Sequence, residues 1–483
     1  MPVGSARAAL LACASLMISA PAYADTLKEA LTKAYQDNPT LESARANQRA
    51  IDENVPIARA SGLPSADVSA TYSEFLKQSS NNFISPDRAL SADVNIGMPV
   101  FSGGAIRNSV RAAETRVDAG RADLRGTESF LFTQVVAAYM DVILNEALVS
   151  LSANNVDVLG INLEATSDRF EIGYLTRTDI AQSQARLSLA EGDLLTARSN
   201  LIRARENYIA LVGDVPNDLQ PPPPLPGLPE SVQQATQIAL ASNPELIAAA
   251  ERAEAAGYDV DIAGAGRLPS ISVFTNGGYD NYLGTLGSAP GTTTPQTATS
   301  ATAGVRLTMP LFQGGRVAAQ QRQAQALSAA ALEQVVATER GIIADVRAAY
   351  ANWRSANAII DSSRTAVEAA SLSLEGVRAE NTVGNRTVLD ILDSQQELLR
   401  AQVQLVTARR NAYVAGFNLL ALMGRAEARD LGLGEAGPLY DPVENYDRVR
   451  GIIWDWQRDP DPVTQSPRTV DIPAQDGDIP ASQ

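Results

Sequence analysis

The sequence predicts a mixed fold, all-α helices combined with a membrane β-barrel, built from two internal repeats. Three observations predict it. A helical stretch that ends at Gly424 recurs 211 residues earlier, where it ends at Gly213. Each copy follows a long segment without proline, which is typical of a long helix. Each repeat also holds two short segments in which apolar and polar residues alternate, and this period predicts strands with one apolar face.

The repeats match in their residues as well as in their periods. A seam of apolar and small residues at heptad spacing lies along 391–422 and again along 180–211. The segment EIGYLTRTDIAQSQ, which begins at Glu171, matches TVGNRTVLDILDSQ from Thr382. Because a second apolar seam lies beside the first, we expect each helix to pack against two neighbours, as in the wall of a tube.

Composition excludes several classes of function. The chain of 483 residues has a formal net charge of −16, so we expect no nucleic-acid partner, because nucleic acids attract basic surfaces. It contains no histidine, which removes histidine metal sites and Ser-His-Asp triads. Its single cysteine, Cys13, lies in the expected signal peptide. We therefore predict no enzymatic activity, no cofactor and no dedicated metal site.

The chain divides into five segments. The first has the layout of a secretory signal peptide, with Arg7 before an apolar run and Ala22-Tyr23-Ala24 as the cleavage site. A proline run in the middle of the chain separates the repeats, because consecutive prolines cannot continue a helix. The segments are the signal peptide (1–24), repeat 1 (25–213), a proline-rich linker (214–229), repeat 2 (230–424) and an acidic, proline-rich tail (425–483).

Each repeat is expected to contain short helices, a strand pair, a long helix and a return helix. At a rise of about 1.5 Å per residue, each long helix would span roughly 100 Å. We expect strands rather than helices to cross a membrane, because no run of about eighteen apolar residues is present. A half-buried soluble sheet is the alternative for the strands. The expected ranges are strand pairs 63–101 and 268–312, long helices 104–171 and 315–381, and return helices 176–213 and 387–424.

The number of strands requires more than one copy of the chain. Four strands leave two open edges, and the unpaired backbone groups of an edge cannot face lipid. Membrane barrels of bacteria have even strand numbers from about eight upwards, so a dimer or a trimer would close one.

Beyond these patterns, the residues carry a resemblance to a known family. The turns in RFEIGYLTRTD and VGNRTVLDILDSQ, and the paired strand ends MPVFSGG and MPLFQGG, resemble those of TolC-family outer-membrane channels of Gram-negative bacteria. The resemblance covers nearly all of 25–424. It implies a homotrimer in which a twelve-stranded β-barrel, surrounded by outer-membrane lipid, is continued by a twelve-helix tunnel into the periplasm.

The same resemblance implies a function. Such channels are passive exit ducts of tripartite efflux pumps or type I secretion systems. They dock to a periplasmic adaptor protein and to an inner-membrane transporter, which is of the ABC, RND or MFS type. The alternative from another class is a structural or adhesive coiled-coil surface protein, although adhesins seldom carry four strands divided between two repeats.

Two aspartates are the candidate constriction of the channel. Asp390 and Asp393 lie three residues apart in the first turn of the second return helix, so they share one face. The resemblance implies that three copies form two carboxylate rings at the periplasmic mouth, and such rings attract cations and can bind multivalent ones. The alternative is that these acids only interact favourably with the dipole at the N-terminus of their helix.

Four further residues at the same end are assigned through the resemblance. Arg386 and Asp179 match the partners of a polar latch that holds the closed tip, although Asn381 stands where the family often has tyrosine. Two exposed charges that contribute little to stability are the alternative. Gly173 and Gly384 allow the chain reversals at the tips of the helix pairs, and the resemblance implies that these turns contact the adaptor.

The tail is expected to be disordered or loosely docked, because it is rich in Asp, Pro and Gly. Its apolar run Ile452-Ile453-Trp454-Asp455-Trp456 is the candidate for docking it against the helices.

Overall fold

A computed structural model of the chain describes residues 25–78, 85–288, 291–435 and 437–479. The expected signal peptide, 1–24, lies outside the described residues. The described chain is mostly helical, with one four-stranded sheet. Repeat 1 contains α1 (Leu27–Asp37), α2 (Pro39–Asp52), α3 (Asn54–Ala60), β1 (Ser65–Glu74), β2 (Arg88–Phe101), α4 (Ala105–Glu171) and α5 (Arg177–Val212).

Repeat 2 follows the same order after the linker. Its elements are α6 (Val232–Ser242), α7 (Pro244–Ala265), β3 (Ser270–Asn281), β4 (Thr297–Thr308), α8 (Arg316–Thr382) and α9 (Val388–Leu422). A 3₁₀ turn (Leu433–Glu435) and α10 (Pro442–Val449) lie in the tail. The long helices α4 and α8 have 67 residues each, and α5 and α9 have 36 and 35. Each long helix packs antiparallel against its return helix, which forms two helical hairpins.

The sheet is antiparallel and has the order β1-β2-β3-β4. Its register puts apolar residues opposite one another on one face, as in the pairs Val68–Val94 and Val273–Val305. Polar residues alternate with them on the other face, where Asn95 donates a hydrogen bond of 3.0 Å to Asp67. Because the alternation is in phase across all four strands, the sheet has one apolar and one polar face. The outer strands, β1 and β4, each have a strand neighbour on one side only among the described residues.

Two asparagines join short helices end to end with the return helices. The side chain of Asn38 caps α2 by accepting from the Thr40 N–H, and its amide donates to the Leu211 carbonyl at the end of α5, at 2.8 Å. Asn243 does the same in repeat 2, where it caps α7 and donates to the Leu422 carbonyl at 2.9 Å. These joints satisfy backbone groups that helix ends leave unpaired. As a result, α2 continues the line of α5, and α7 continues that of α9.

The main hydrophobic core lies beside the Asn38 joint, midway between the sheet and the tips of the hairpins, and a second, smaller cluster lies beside the Asn243 joint. The main core is built from α1, the middle of α4 and the C-terminal parts of α5 and α9. Tyr139 lies in it fully buried, and its hydroxyl lies 2.9 Å from the carbonyl of Asp25 and 2.6 Å from that of Gln220. It thereby holds the start of repeat 1 against the linker.

The helix α4 differs from one expectation of the sequence analysis. By length and composition it is apolar enough to cross a membrane, and within the described residues it is the one helix that passes this test. Its most buried apolar side chains, which include Phe132, Val135 and Val142, pack in the main core against other helices. Long apolar helices inside a protein core have the same composition, so we interpret this stretch as a core helix.

The tail docks against the helices, but through residues other than those expected. Ala426, Ala428 and Leu433 are buried in the main core, and Val449 is buried at the end of α10. The apolar run at 452–456 was the candidate for this docking, yet most of its large side chains are exposed.

Candidate functional site

The tips of the two hairpins form the candidate site. Each tip is a short reversal that contains one glycine in the left-handed region, Gly173 with φ of +84° and Gly384 with φ of +82°. Among the described residues, apart from each glycine and its two chain neighbours, no atom lies within 4 Å of the position that a Cβ would take at either glycine. The apolar side chains beside them, Ile172, Tyr174 and Val383, are exposed. The tips therefore present apolar surface and free space.

Both return helices begin with the same capping box. Thr176 and Asp179 cap α5, and Thr387 and Asp390 cap α9. The Asp390 carboxylate accepts from the N–H and the hydroxyl of Thr387, at 2.8 and 2.7 Å, and the Asp179 carboxylate accepts from Thr176 at the same distances. These bonds hold the pKa of both carboxyl groups below the usual value. Both are therefore ionised at neutral pH, and both have a structural role in their own helix.

Arg386 is held within its own hairpin. Its guanidinium lies 2.8 Å from the Glu380 carboxylate and 3.8 Å from that of Asp390, and its carbonyl accepts from the Asn381 amide at 2.7 Å. Within the described residues of one chain, no hydrogen bond or ion pair joins Arg386 to Asp179. The structure thus brings Arg386 next to Asp390 and does not bring it to Asp179.

Other residues link the two hairpins of one chain. Arg186 on α5 forms an ion pair of 2.7 Å with Asp393 on α9. Nearer the tips, the guanidinium of Arg169 donates to the Asn381 side chain at 3.4 Å. Further from the tips, the Asn162 amide donates to Gln395 at 3.2 Å. We call these three contacts the inter-hairpin links, and they put Asp393 in a charge pair across the hairpins.

Sequence reasoning missed Arg186, although the repeat carried a signal for it. The position that matches Arg186 in repeat 2 is Glu397, and the position that matches Asp393 in repeat 1 is Gln182. Charges that differ between otherwise matching repeats mark contacts between the repeats rather than within one. A comparison of the repeats for charge would therefore have included Arg186 and Asp393 among its candidates, together with other positions such as Asp193, which matches Gln404.

The described residues contain no group of three or more His, Cys, Asp or Glu side chains placed to hold a metal ion. Asp390 and Asp393 are two carboxylates per chain, of which Asp393 is exposed and Asp390 is partly exposed. A cation site at these residues would need carboxylates from further copies of the chain.

Comparisons with known proteins agree on one family. Residues 30–214 and 235–425 match the family described as outer membrane efflux protein. The outer membrane efflux protein BepC of Brucella suis is 34% identical over 454 residues, which cover 94% of this chain and 96% of that protein. The outer membrane protein TolC of Vibrio cholerae is 26% identical over 424 residues, which cover 86% and 94%.

A solved structure shows the same fold at lower identity. The CmeC outer membrane channel of Campylobacter jejuni superposes with a TM-score of 0.74 at 16% identity, over 88% of this chain and 89% of that one. The relatives favour a channel over the alternative of an adhesive coiled-coil protein, because they carry the names of efflux proteins and channels.

Proposed function

The chain belongs to the outer membrane efflux protein family, and from this membership we propose that three copies form a passive exit duct across the outer membrane and the periplasm. The family consists of outer membrane channels, and this protein is an outer membrane efflux protein. The observation that carries the proposal is a four-stranded sheet with one apolar face and two open edges, continuous with two long hairpins.

The sheet supports a closed barrel of three chains. In lipid, each unpaired backbone group at an edge costs several kcal/mol, so β1 of one copy must pair with β4 of the next. Three copies then give an even number of strands, twelve, as in bacterial membrane barrels. The apolar face would contact lipid, and the polar face would line the lumen.

The helices support a tube below the barrel. In a single chain, large apolar side chains of the long and return helices are exposed along the hairpins, among them Ile161, Leu189, Leu195, Leu327 and Leu372. Exposed apolar surface on this scale marks an interaction site. In a trimer, neighbouring hairpins cover this surface, which gives twelve helices in the wall.

We assign Asp390 and Asp393 to the constriction of this duct. Replacing both with asparagine should abolish the preference for cations over anions and the block by divalent cations in planar bilayers. Asparagine keeps an oxygen that can accept from Thr387, so the change removes charge rather than the cap. Ion selectivity is measured rather than conductance, because Asp393→Asn also breaks the ion pair with Arg186 and is expected to change the conductance.

The control for the constriction is Asp361→Asn, which removes an exposed charge in the middle of α8. It should keep the selectivity of the wild type. If the double variant also keeps it, the two aspartates do not line the narrowest part of the duct.

We assign the hairpin tips to contact with a periplasmic adaptor, which links the duct to an inner-membrane transporter of an efflux pump or a type I secretion system. The exposed apolar side chains and the open space at Gly173 and Gly384 support this assignment. Gly384→Arg should leave the trimer intact on native gels and abolish efflux, measured as accumulation of a fluorescent substrate in cells.

The chain offers a matched control for this variant. Gly213 has a φ of +87°, and its Cβ position is equally free of neighbours, but it lies at the other end of α5. Gly213→Arg introduces the same side chain with the same backbone strain far from the tips. Equal loss of efflux in both variants would mean that strain, and not adaptor contact, explains the effect.

A further inference from the structure

The tail forms a closed loop after α10. Arg448, at the end of α10, makes a two-pronged ion pair with Asp459, with both nitrogen–oxygen distances at 2.9 Å. Val449, the residue that follows Arg448, is buried. The residues between, 450–458, are thereby held as a loop whose two ends are fixed, and we call them the tryptophan loop. Paired guanidinium and carboxylate groups of this geometry are among the stronger surface contacts.

The tip of the tryptophan loop is apolar and exposed. Ile453 is 66% exposed, Trp454 is 73% and Trp456 is 96%. The third tryptophan of the chain, Trp353, packs instead against Tyr350, with ring centroids 5.8 Å apart. Nearly complete exposure of two neighbouring tryptophans is costly in water, since each aromatic side chain can bury about 150–250 Å². Such a tip requires a surface to contact.

The contacts of α10 put the loop level with the end of the sheet. Along α10, Asn445 donates to Asp52 at the end of α2, at 2.7 Å, and the guanidinium of Arg59 on α3 donates to the Arg450 carbonyl. The helix therefore runs beside α2 and α3 toward the sheet. Arg59 lies in the last turn of α3, and β1 begins at Ser65. The loop thus starts within a few residues of the point where the strands begin.

The first turn of α4 lies at the same height as the start of the strands. A Cβ on Gly62, which follows α3, would lie 3.0 Å from a methyl of Ile106, the second residue of α4. Since α4 begins just after β2 ends, α3 and α4 meet directly below the barrel. On α3, Ile57 is also exposed. The loop and this side chain lie on the periplasmic side of the strand ends, where the headgroups of the inner leaflet surround a barrel.

We propose that the tryptophan loop inserts its tip into the headgroup region of the periplasmic leaflet of the outer membrane. The proposal rests on the proposed function, because it requires the strands to span that membrane. Tryptophan is enriched at this depth, since its ring is apolar and its N–H needs a polar partner. Asp455 lies between the two tryptophans, which suits the interface and not the hydrocarbon. Arg450 and Arg458 flank the tip, where each forms an exposed ion pair, with Asp447 and Asp461. Exposed pairs of this kind are weak, so both guanidinium groups can also reach lipid phosphate.

The tryptophans themselves report the depth of the loop. The chain has three, so Trp353→Phe leaves Trp454 and Trp456 as the only indole fluorophores. This full-length variant is reconstituted into vesicles of phosphatidylethanolamine and phosphatidylglycerol that carry spin-labelled acyl chains. A label near the carboxyl end of the chain should remove most of the emission, and a label near the methyl end should remove much less.

A matched variant separates the loop from the rest of the protein. Trp454→Ser with Trp456→Ser retains Trp353, whose emission should not respond to either lipid label. Absence of lipid quenching in the Trp353→Phe protein overturns the proposal. Acrylamide then identifies the surroundings: free access means that the loop lies in water, and shielding means that a neighbouring copy covers it.

Conductance of the same preparation distinguishes a failure of the loop proposal from a failure of the proposed function. Channels without lipid quenching refute only the tryptophan loop as an anchor. Absence of both channels and quenching refutes the proposed function, and the loop proposal with it.

Discussion

Replacing Arg169 and Arg186 together with alanine is expected to raise the single-channel conductance of the protein several-fold. The two arginines make inter-hairpin links, Arg186 with Asp393 and Arg169 with Asn381. Each exposed pair contributes only about 0–1 kcal/mol. Three chains of the proposed duct would contain six such contacts at one end, however, and a shift of a few kcal/mol is enough to change which of two states is populated. Without them, the Asn162–Gln395 bond is the one inter-hairpin link that remains, and the hairpins separate more easily.

Planar bilayer recordings of the purified trimer measure this effect. The control is Arg364→Ala, which removes an exposed arginine whose ion pair, with Asp361, lies within α8. It should conduct like the wild type. Conductance at the wild-type level in the double variant would show that the inter-hairpin links do not hold the duct closed.

The same recordings test the latch that the sequence nominated. In a single chain, Arg386 and Asp179 are each held by groups of their own hairpin, so a latch between them would join neighbouring copies. Conductance should then rise in Arg386→Ala alone. If only the Arg169 and Arg186 variant opens, the closed state depends on contacts within each chain.

Replacing Glu128 with glutamine is expected to stabilise the folded protein at pH 8 by about 3 kcal/mol per chain, with little effect near pH 4.5. Glu128 lies on α4 beneath the start of the tail, where it accepts a hydrogen bond from the Ala428 N–H. Burial raises its pKa from 4.5 to about 7, and the nearby charge of Glu427 adds to this. Glutamine can still accept from the N–H but carries no charge.

The direction of the pH dependence follows from the pKa of Glu128 in the folded chain and its pKa in the unfolded chain. The folded chain binds the proton more tightly than the unfolded chain, so ionising Glu128 costs stability as the pH rises from 4.5 to about 7. The cost is absent below this window and complete above it. The gain from glutamine should appear across the same window in chemical unfolding followed by circular dichroism.

Glu114→Gln is the control, because Glu114 is exposed on the same helix. It should change stability little at either pH. A gain for Glu128→Gln that does not depend on pH would show that the pKa of Glu128 is the same in the folded and unfolded chains, and would contradict the effect of burial.

Local patterns made most of the helices predictable. The starts of α5 and α9 follow from Thr176 and Thr387, each with an aspartate three residues later, because this pattern supplies its own cap. The two helices of 67 residues follow from the absence of proline. In the strands, the alternation of apolar and polar residues predicted both faces of the sheet, since successive side chains of a strand point to opposite faces.

Contacts between distant parts of the chain were harder to predict. The Arg186–Asp393 pair joins residues more than two hundred positions apart, and no local pattern announces it. The docking of the tail was expected from its most apolar residues, but Ala426, Ala428 and Leu433 are the ones that fill the gaps in the core. Apolar character predicts that a side chain needs a partner, whereas shape decides whether that partner is the protein's own core.

The asparagine joints give the two kinds of helix different elastic properties. Backbone hydrogen bonds run without interruption through α4 and α8, so these helices resist bending from the strands to the tips. At Asn38 the line of helix passes from α5 to α2, and at Asn243 it passes from α9 to α7. A single side-chain amide bridges each of these two junctions. Twist applied to α5 or α9 therefore dissipates at the junction, as element ends absorb most of the rotation in hinges. In the proposed duct, the aperture at the hairpin tips could therefore change its diameter while the strands stay at rest.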